Sequence, residues 1–378
     1  MKKAATLLLL CISLQISAQS PLFKKVERII KSQILDVANR NLNEKPITVT
    51  SFHSERSAGG KHDFFSEGDY WWPDPANPTG PYIQKDGLTN PDNFTAHRKA
   101  MIRFSQIVAN QTSAYLISGR TAYAKQAIKH IKAWMVDTTT MMSPHLLYAQ
   151  AIKGKVTGRG VGIIDMIQLI EVAKSIEILE KRQLITPADQ NQIHAWFTNY
   201  LSWVTTHPYG KDEREAKNNH GTCWVMQVSA FAHLVNDEVL LTYCKDRFLT
   251  MILPNQMDER GAFPLELKRT KPYGYSLFNL DAVMTTAHIF KIKNASLKKG
   301  IDFMYPFVQD KKNWPYPQDV MYWDEWPVAA PFLLFGYQDY ADARWFSTWE
   351  KLNHFPENEE VIRNLPIRNP LIWLVDSF

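Results

Sequence analysis

Residues 97–117, HRKAMIRFSQIVANQTSAYLI, place Met101, Phe104, Ile107, Val108, Ala114 and Leu116 at roughly helical spacing, and Gly119 stops the run. Residues 121–137 repeat the pattern with Ala124, Ile128, Ile131 and Trp134. The same reading predicts helices over 162–182, 187–205, 219–236, 238–252, 276–292, 295–309, 327–337 and 339–350. Thr186-Pro187-Ala188-Asp189 is a capped start, with Thr186 free to accept an orphan amide and Pro187 at the first helical position. No period-two run of β-branched residues exceeds a few positions, so these helices must bury their stripes on one another. An all-α array follows. A closed α/α barrel and an open solenoid both satisfy that demand, and no fixed-period repeat chooses between them.

Two segments interrupt the helical rhythm. The first, Ser51 to Asp92, holds His53-Ser54-Glu55-Arg56 and then Gly68-Asp69-Tyr70-Trp71-Trp72-Pro73-Asp74-Pro75. A long loop of this kind, rich in proline and aromatic residues, is expected to be a functional lid or a binding wall. The second is Pro254 to Tyr275. Neither is a linker that would divide the chain, so residues 19–378 read as one domain.

At the start, Met1-Lys2-Lys3 is a short positive region, Ala4 to Ile16 is apolar, and Ser17-Ala18 before Gln19 fits a cleavage site. Residues 1–18 are therefore expected to be a signal peptide and the mature protein to be periplasmic or secreted. No stretch is apolar enough to span a bilayer. Cleavage leaves Cys223 and Cys244, either bridged in an oxidising compartment or buried as two small hydrophobes. The net charge of +5 comes without a basic block, zinc spacing or phosphate-loop motif, which argues against a nucleic-acid partner. Twelve Trp, fifteen Tyr and nineteen Phe supply faces that can stack on sugar rings, although most must be core.

The chemistry-bearing residues fall in two places. Lys217-Asn218-Asn219-His220-Gly221 stands at the start of a helix, where amides and the dipole favour an anion; a plain capped helix would read the same. Lys268-Arg269-Thr270-Lys271-Pro272-Tyr273-Gly274-Tyr275 sets cations and two tyrosines before an apolar helix; an exposed basic loop is the bland alternative. Together they assemble amide, imidazole and guanidinium donors for a carboxylate, and a tyrosine to move a proton. These are the parts needed to remove the C5 proton of a uronate, whose C6 carboxylate must first be neutralised. No metal or cofactor is called for, and zinc-ligand spacing is not seen in these segments.

Three stretches carry a family resemblance: Tyr70 to Pro75, Asn218 to Gly221, and Arg269 to Asn279. The sequence resembles the alginate lyase-like superfamily of α/α-barrel polysaccharide lyases, and is most similar to polysaccharide lyase family 38. The resemblance implies an α/α barrel (toroid) of antiparallel helix pairs. It implies that Asn219, His220 and Arg269 neutralise the substrate carboxylate and that Tyr275 acts as acid and base. The substrate it implies is an anionic uronic-acid polysaccharide, glucuronan or mannuronate-rich alginate, cleaved by β-elimination. One departure bears on the substrate. The related family 5 enzymes place the arginine seven residues before the tyrosine, whereas Arg269 stands six before Tyr275 and Lys268 holds the seven-residue spacing.

Further substrate-binding candidates are His53, Arg56, Trp71, Trp72, Arg159 between its two glycines, Lys268, Tyr273 as the rival tyrosine, and Trp323 in Tyr322-Trp323-Asp324-Glu325-Trp326. Two other functions stay open. A glycoside hydrolase would need paired carboxylates from sites such as Asp69, Asp74, Asp324 or Glu325. A non-catalytic polysaccharide-binding protein would tolerate loss of the tyrosine.

Overall fold

The computed structural model describes residues 20–375, so the predicted signal peptide lies outside the described residues. The first helix, α1 (Pro21–Arg40), is one the sequence reading passed over. Phe23, Val26, Ile30, Ile34 and Ala38 recur at steps of three and four and form its buried stripe, and Ser20 caps it by accepting from the Phe23 amide. It packs on α2 (Ala96–Ser118), which turns at Gly119 (φ 71°) into α3 (Thr121–Met135). Trp134 of α3 stacks on Phe104 of α2 at 4.8 Å.

A 3₁₀ turn over Gly160–Met166 leads to α4 (Leu169–Lys181), followed by α5 (Pro187–Thr206), α6 (Pro208–Arg214), α7 (Asn219–Val235) and α8 (Glu238–Arg247). Helix α8 runs through a π turn into α9 (Leu253–Gln256). Then come α10 (Pro264–Leu267), α11 (Pro272–Ile289), α12 (Ala295–Gln309), α13 (Pro331–Tyr340), α14 (Ala343–Lys351) and α15 (Glu359–Arg363). The fold is all-α. An inner series packs α2 on α4, α4 on α7, α7 on α11 and α11 on α13, with α3, α5, α8, α12 and α14 outside it. Helix α1 closes the ring, packing on α2 and reaching α13 through Lys25 Nζ and the Tyr337 hydroxyl at 2.8 Å. That is an α/α toroid. Helices α7 and α11 are buried almost all round, as the centre of such a ring must be. One hydrophobic cluster runs from Phe23 to Leu374.

Two features set up the site. Thr222 of α7 and Asn279 of α11 both hydrogen-bond Gln256 Oε1, so these two inner helices begin at the same end of the ring. The loop of residues 51–92 lies over that end. It carries β1 (Phe65–Glu67), paired in parallel with β4 (Tyr148–Ala151), and the antiparallel ribbon of β2 (Trp71–Trp72) with β3 (Ile83–Gln84).

A buried ionic network fastens the loop. Asp69 accepts from Arg98 of α2 (3.0 and 2.5 Å) and pairs with Arg363 of α15 at 2.5 Å. Asp165 lies 3.5 Å from Arg98 and 3.7 Å from Arg363, and accepts from the Ser66 hydroxyl. Burial opposes ionisation of Asp69, but Arg363 and Arg98 override it and bring its pKa down from 3.8 to about 2. The folded value lies below the unfolded one, so the stabilisation is present above pH 4 and is lost as pH falls through about 2. Denaturant titrations from pH 5 to 2 are expected to show native Asp69 losing about 2 kcal/mol that Asp69→Asn does not lose.

Cys223 and Cys244 are free thiols, so the bridge considered from the sequence is absent. Both are buried, and burial pushes the Cys244 thiol up to about 12. Among the described residues, no helix is long and apolar enough to cross a membrane.

Candidate active site

Helix α11 begins one turn earlier than the sequence predicted. Pro272 takes the first helical position, and Asp319 caps the end by accepting the amides of Tyr273 (2.8 Å) and Gly274 (2.9 Å). A Cβ on Gly274 would stand 2.9 Å from Asp319 Oδ2, so a side chain there would push the capping carboxylate aside. Tyr275 therefore sits in the first turn. Its hydroxyl lies 2.6 Å from that of Tyr70, brought down by the loop.

Cations surround this pair. The Arg269 guanidinium lies 4.5 Å from the centre of the Tyr275 ring. Lys271 Nζ is 5.0 Å from the Tyr70 ring, 5.1 Å from Tyr275 and 5.3 Å from Tyr322, and it pairs with Glu360. Burial pushes the Tyr275 hydroxyl well above its ordinary 10 and Tyr70 adds to the shift, while Lys271 and Arg269 pull the other way. Burial likewise raises Tyr70. Both phenols are neutral in the resting site. Arg269 is itself held by Asp86 in a two-pronged pair (2.8 and 3.2 Å), which Thr270 joins at 2.9 Å.

The start of α7 supplies the other side. Asn218 is the N-cap, accepting from the His220 amide. Glu266 grips Asn219 twice, accepting its backbone N–H at 2.7 Å and its side-chain amide at 3.2 Å. Burial raises the Glu266 carboxyl; Asn219, Arg269 and His220 oppose the rise, so Glu266 lies electrostatically between the two halves of the site. His220 Nδ1 lies 2.7 Å from Glu213, whose side chain is fully buried. An ionised carboxylate can only accept, so Nδ1 carries the proton and Nε2 is the nitrogen left for a ligand. Glu213→Gln should therefore lower kcat about 10²-fold with the fold intact. Steady-state kinetics beside a thermal melt would check this, and an unchanged kcat would contradict the orienting role.

The structure thus brings together Tyr275, Arg269, Asn219 and His220 at one end of the ring. Of the substrate-binding candidates, Trp71 lies beside Arg159, whose guanidinium is 5.8 Å from its ring. Arg159 is fixed by Gln150 through its backbone oxygen (2.9 Å) and side-chain oxygen (3.0 Å). A Cβ on Gly158 would come 1.9 Å from the Leu147 carbonyl oxygen, so the glycines let the chain pack on itself. Trp72 bonds the Leu88 carbonyl and packs under Lys85, which makes it a strut of the loop. Arg56 pairs with Glu67 at 2.6 Å, and His53 is exposed beside Glu55.

One candidate is corrected. Tyr273 is fully buried, donates to the Phe307 carbonyl at 3.0 Å and packs on Trp314 and Trp323, so it belongs to the core. Trp323 is half-buried and packs between Tyr273 and Lys311. Lys268 points to solvent while Arg269 turns inward. The carboxylates considered for hydrolysis do not form a pair: Asp69 is locked between arginines, Asp74 caps its own turn at Ala76, and Asp324 and Glu325 are exposed. The residues the sequence reading left without a role are Tyr70, Lys271, Tyr322, Asp86, Glu213, Glu266 and Glu360. Tyr70 stood in a quoted motif and Lys271 in the basic run, but the four acids are single letters outside any motif, and Asp86, Glu266 and Glu360 lie far along the chain from the groups they hold.

The alginate lyase family model matches residues 48–314. The chain belongs to the alginate lyase family. It is a polysaccharide lyase, and its solved relatives share the ring of helices. An alginate lyase from Bacteroides ovatus is 28% identical with a TM-score of 0.79, over 93% of this chain and 97% of that one. Alginate lyase A1-III from Sphingomonas species A1 is 14% identical with a TM-score of 0.51, over 86% and 92%. A complex of A1-III with a tetrasaccharide gives 14% and 0.54 over 82% and 86%, and at such identity the likeness speaks for the fold. No curated protein sequence matches the chain. In this family member, Tyr322, Glu360 and Arg363 come from beyond the matched span yet feed the tyrosine pair and its ionic support.

Proposed function

We propose that this lyase cleaves a β-1,4-linked polyuronate, glucuronan or mannuronate-rich alginate, by β-elimination at Tyr275. The observation that carries the reading is the Tyr275–Tyr70 hydroxyl pair at 2.6 Å beneath Arg269 and Lys271, on the end of the ring where Asn219 and His220 also start their helix. In the reaction the C5–H bond breaks, a C4–C5 double bond forms, the C4–O4 bond breaks and O4 takes a proton. Asn219, His220 and Arg269 would take up the charge that spreads onto the C6 carboxylate as the C5 proton leaves. A neutral Tyr275 needs no prior step to protonate O4.

For the C5 proton, substrate stereochemistry matters. In β-mannuronate and β-glucuronate the C5 proton and O4 lie on the same side, so an ionised Tyr275 could take the one and return it to the other. Burial holds the phenol above 10, and the phenolate gains population as pH rises. This route therefore predicts kcat/KM on polymannuronate climbing with pH from 7 to 9, and a flat profile over that range would contradict it. The Glu213–His220 contact favours a second reading for guluronate, inverted at C5, with His220 Nε2 as the base.

Proton NMR of the products tests the reaction itself. A vinylic C4 proton at the new non-reducing end is expected; saturated ends with a C4 hydroxyl would mean hydrolysis. The N-terminal signal supports action in the periplasm or outside the cell. Edman sequencing of the exported protein should begin at Gln19, and an intact Met1 would contradict that.

A further inference from the structure

Beside the catalytic end lies a groove of about 610 Å³ whose lining includes Arg56, Glu67, Lys153, Lys155 and Tyr209. Its one carboxylate is already engaged: Glu67 pairs with Arg56 at 2.6 Å and accepts the Phe94 amide at 2.7 Å. Lys153 and Lys155 are exposed, and among the described residues neither has a carboxylate within ion-pair distance. Their neighbours are aromatic faces instead, with Lys153 Nζ 5.5 Å from the Tyr82 ring and Lys155 Nζ 5.5 Å from Trp71. The groove therefore holds two uncompensated ammonium groups, and Lys155 stands next to the partly exposed Trp71 ring, which can stack on a sugar.

The segment bearing the lysines is held in place rather than loose. Ile152 and Val156 bridge to each other, the Gly68 amide bonds the Ala151 carbonyl at 2.9 Å, and the Tyr82 amide bonds that of Lys153 at 3.0 Å. Gly154, at φ 76°, packs on Pro81, where a Cβ would come within 2.8 Å of backbone. Trp71 follows Tyr70 directly in the chain, and Arg159 beside Trp71 feels the charge of Glu213, the partner of His220.

We infer that Lys153 and Lys155 form a carboxylate-binding subsite for uronate units next to the one being cleaved. The inference rests on the polyuronate reading and adds to it which groups hold the rest of the chain. Such a site would favour polymers carrying a carboxylate on every ring and would lose strength in salt.

Affinity electrophoresis tests it. Tyr275→Phe protein, which cannot consume the polymer, is run through gels containing glucuronan, mannuronate-rich alginate or neutral dextran. Retardation by the polyuronates alone is expected. Adding Lys153→Ala with Lys155→Ala should raise the apparent Kd about five- to twentyfold, and the double Lys→Arg variant should restore it. Equal retardation of the double alanine variant, or no retardation of the Tyr275→Phe parent, overturns the subsite. An ultraviolet assay on the unmodified enzyme separates this from the wider reading. Elimination with lysine-independent binding sinks the subsite alone; lysine-dependent binding without elimination keeps the subsite and sinks the proposed reaction.

Discussion

Tyr275→Phe is expected to lower kcat on polyuronate by about 10³-fold while KM moves little. The substitution removes one oxygen and leaves the ring beneath Arg269 in place. What disappears is the only ionisable proton on that side chain, and with it the partner of the Tyr70 hydroxyl 2.6 Å away. A modest loss of stability, about 1 kcal/mol, should accompany the change because the part-buried Tyr70 hydroxyl loses its hydrogen-bond partner. Kinetics and denaturant melts on the same preparation separate the two effects. A variant retaining more than a tenth of the native kcat would remove Tyr275 from the chemistry, and Tyr70→Phe would then be the next variant to measure.

The second large effect is on stability. Arg363→Met should cost about 3–5 kcal/mol, because it leaves Asp69 with one arginine instead of two and takes a cation from Glu360 and Asp165. The damage should reach the site. Asp69 adjoins Tyr70 in the chain, and Glu360 is the carboxylate that pairs with Lys271. The variant is therefore expected to lose kcat even at temperatures where it remains folded, whereas Arg363→Lys should recover part of both losses. A cost under about 1 kcal/mol in urea would show that the network is not what fastens the loop.

How much of this was legible in the sequence depends on the range of the interactions. Helices of both layers were readable because a helical stripe is a local signal: the stretches that became α2, α3, α5, α7 and α12 were found nearly to their ends. The start of α11 was missed by a turn because its cap is Asp319, far along the chain. A Tyr-Gly-Tyr run after proline reads as a turn until that carboxylate is in place. Helix α1 had a plain stripe and a Ser-Pro start, and the signal was there to be read.

The site divided in the same way. Asn219, His220, Arg269 and Tyr275 lie in short motifs and could be named, whereas Glu213, Glu266 and Asp86 act by folding onto them and Glu360 by folding onto Lys271. Tyr273 and Tyr275 could not be ranked firmly by spacing alone. A two-residue step on a helix turns the side chain by more than half a circle, and it sends Tyr273 to the Phe307 carbonyl and Tyr275 to Tyr70. The lysine and arginine at 268 and 269 also part ways, in the turn after α10, the arginine folded over the ring and the lysine in solvent.

The most direct test of the central claim is ultraviolet absorbance of the unmodified enzyme incubated separately with glucuronan, polymannuronate and polyguluronate, with reducing ends counted in parallel. Elimination at Tyr275 predicts absorbance rising in step with new reducing ends on at least one of the first two polymers. New reducing ends with no absorbance on any of them would contradict it.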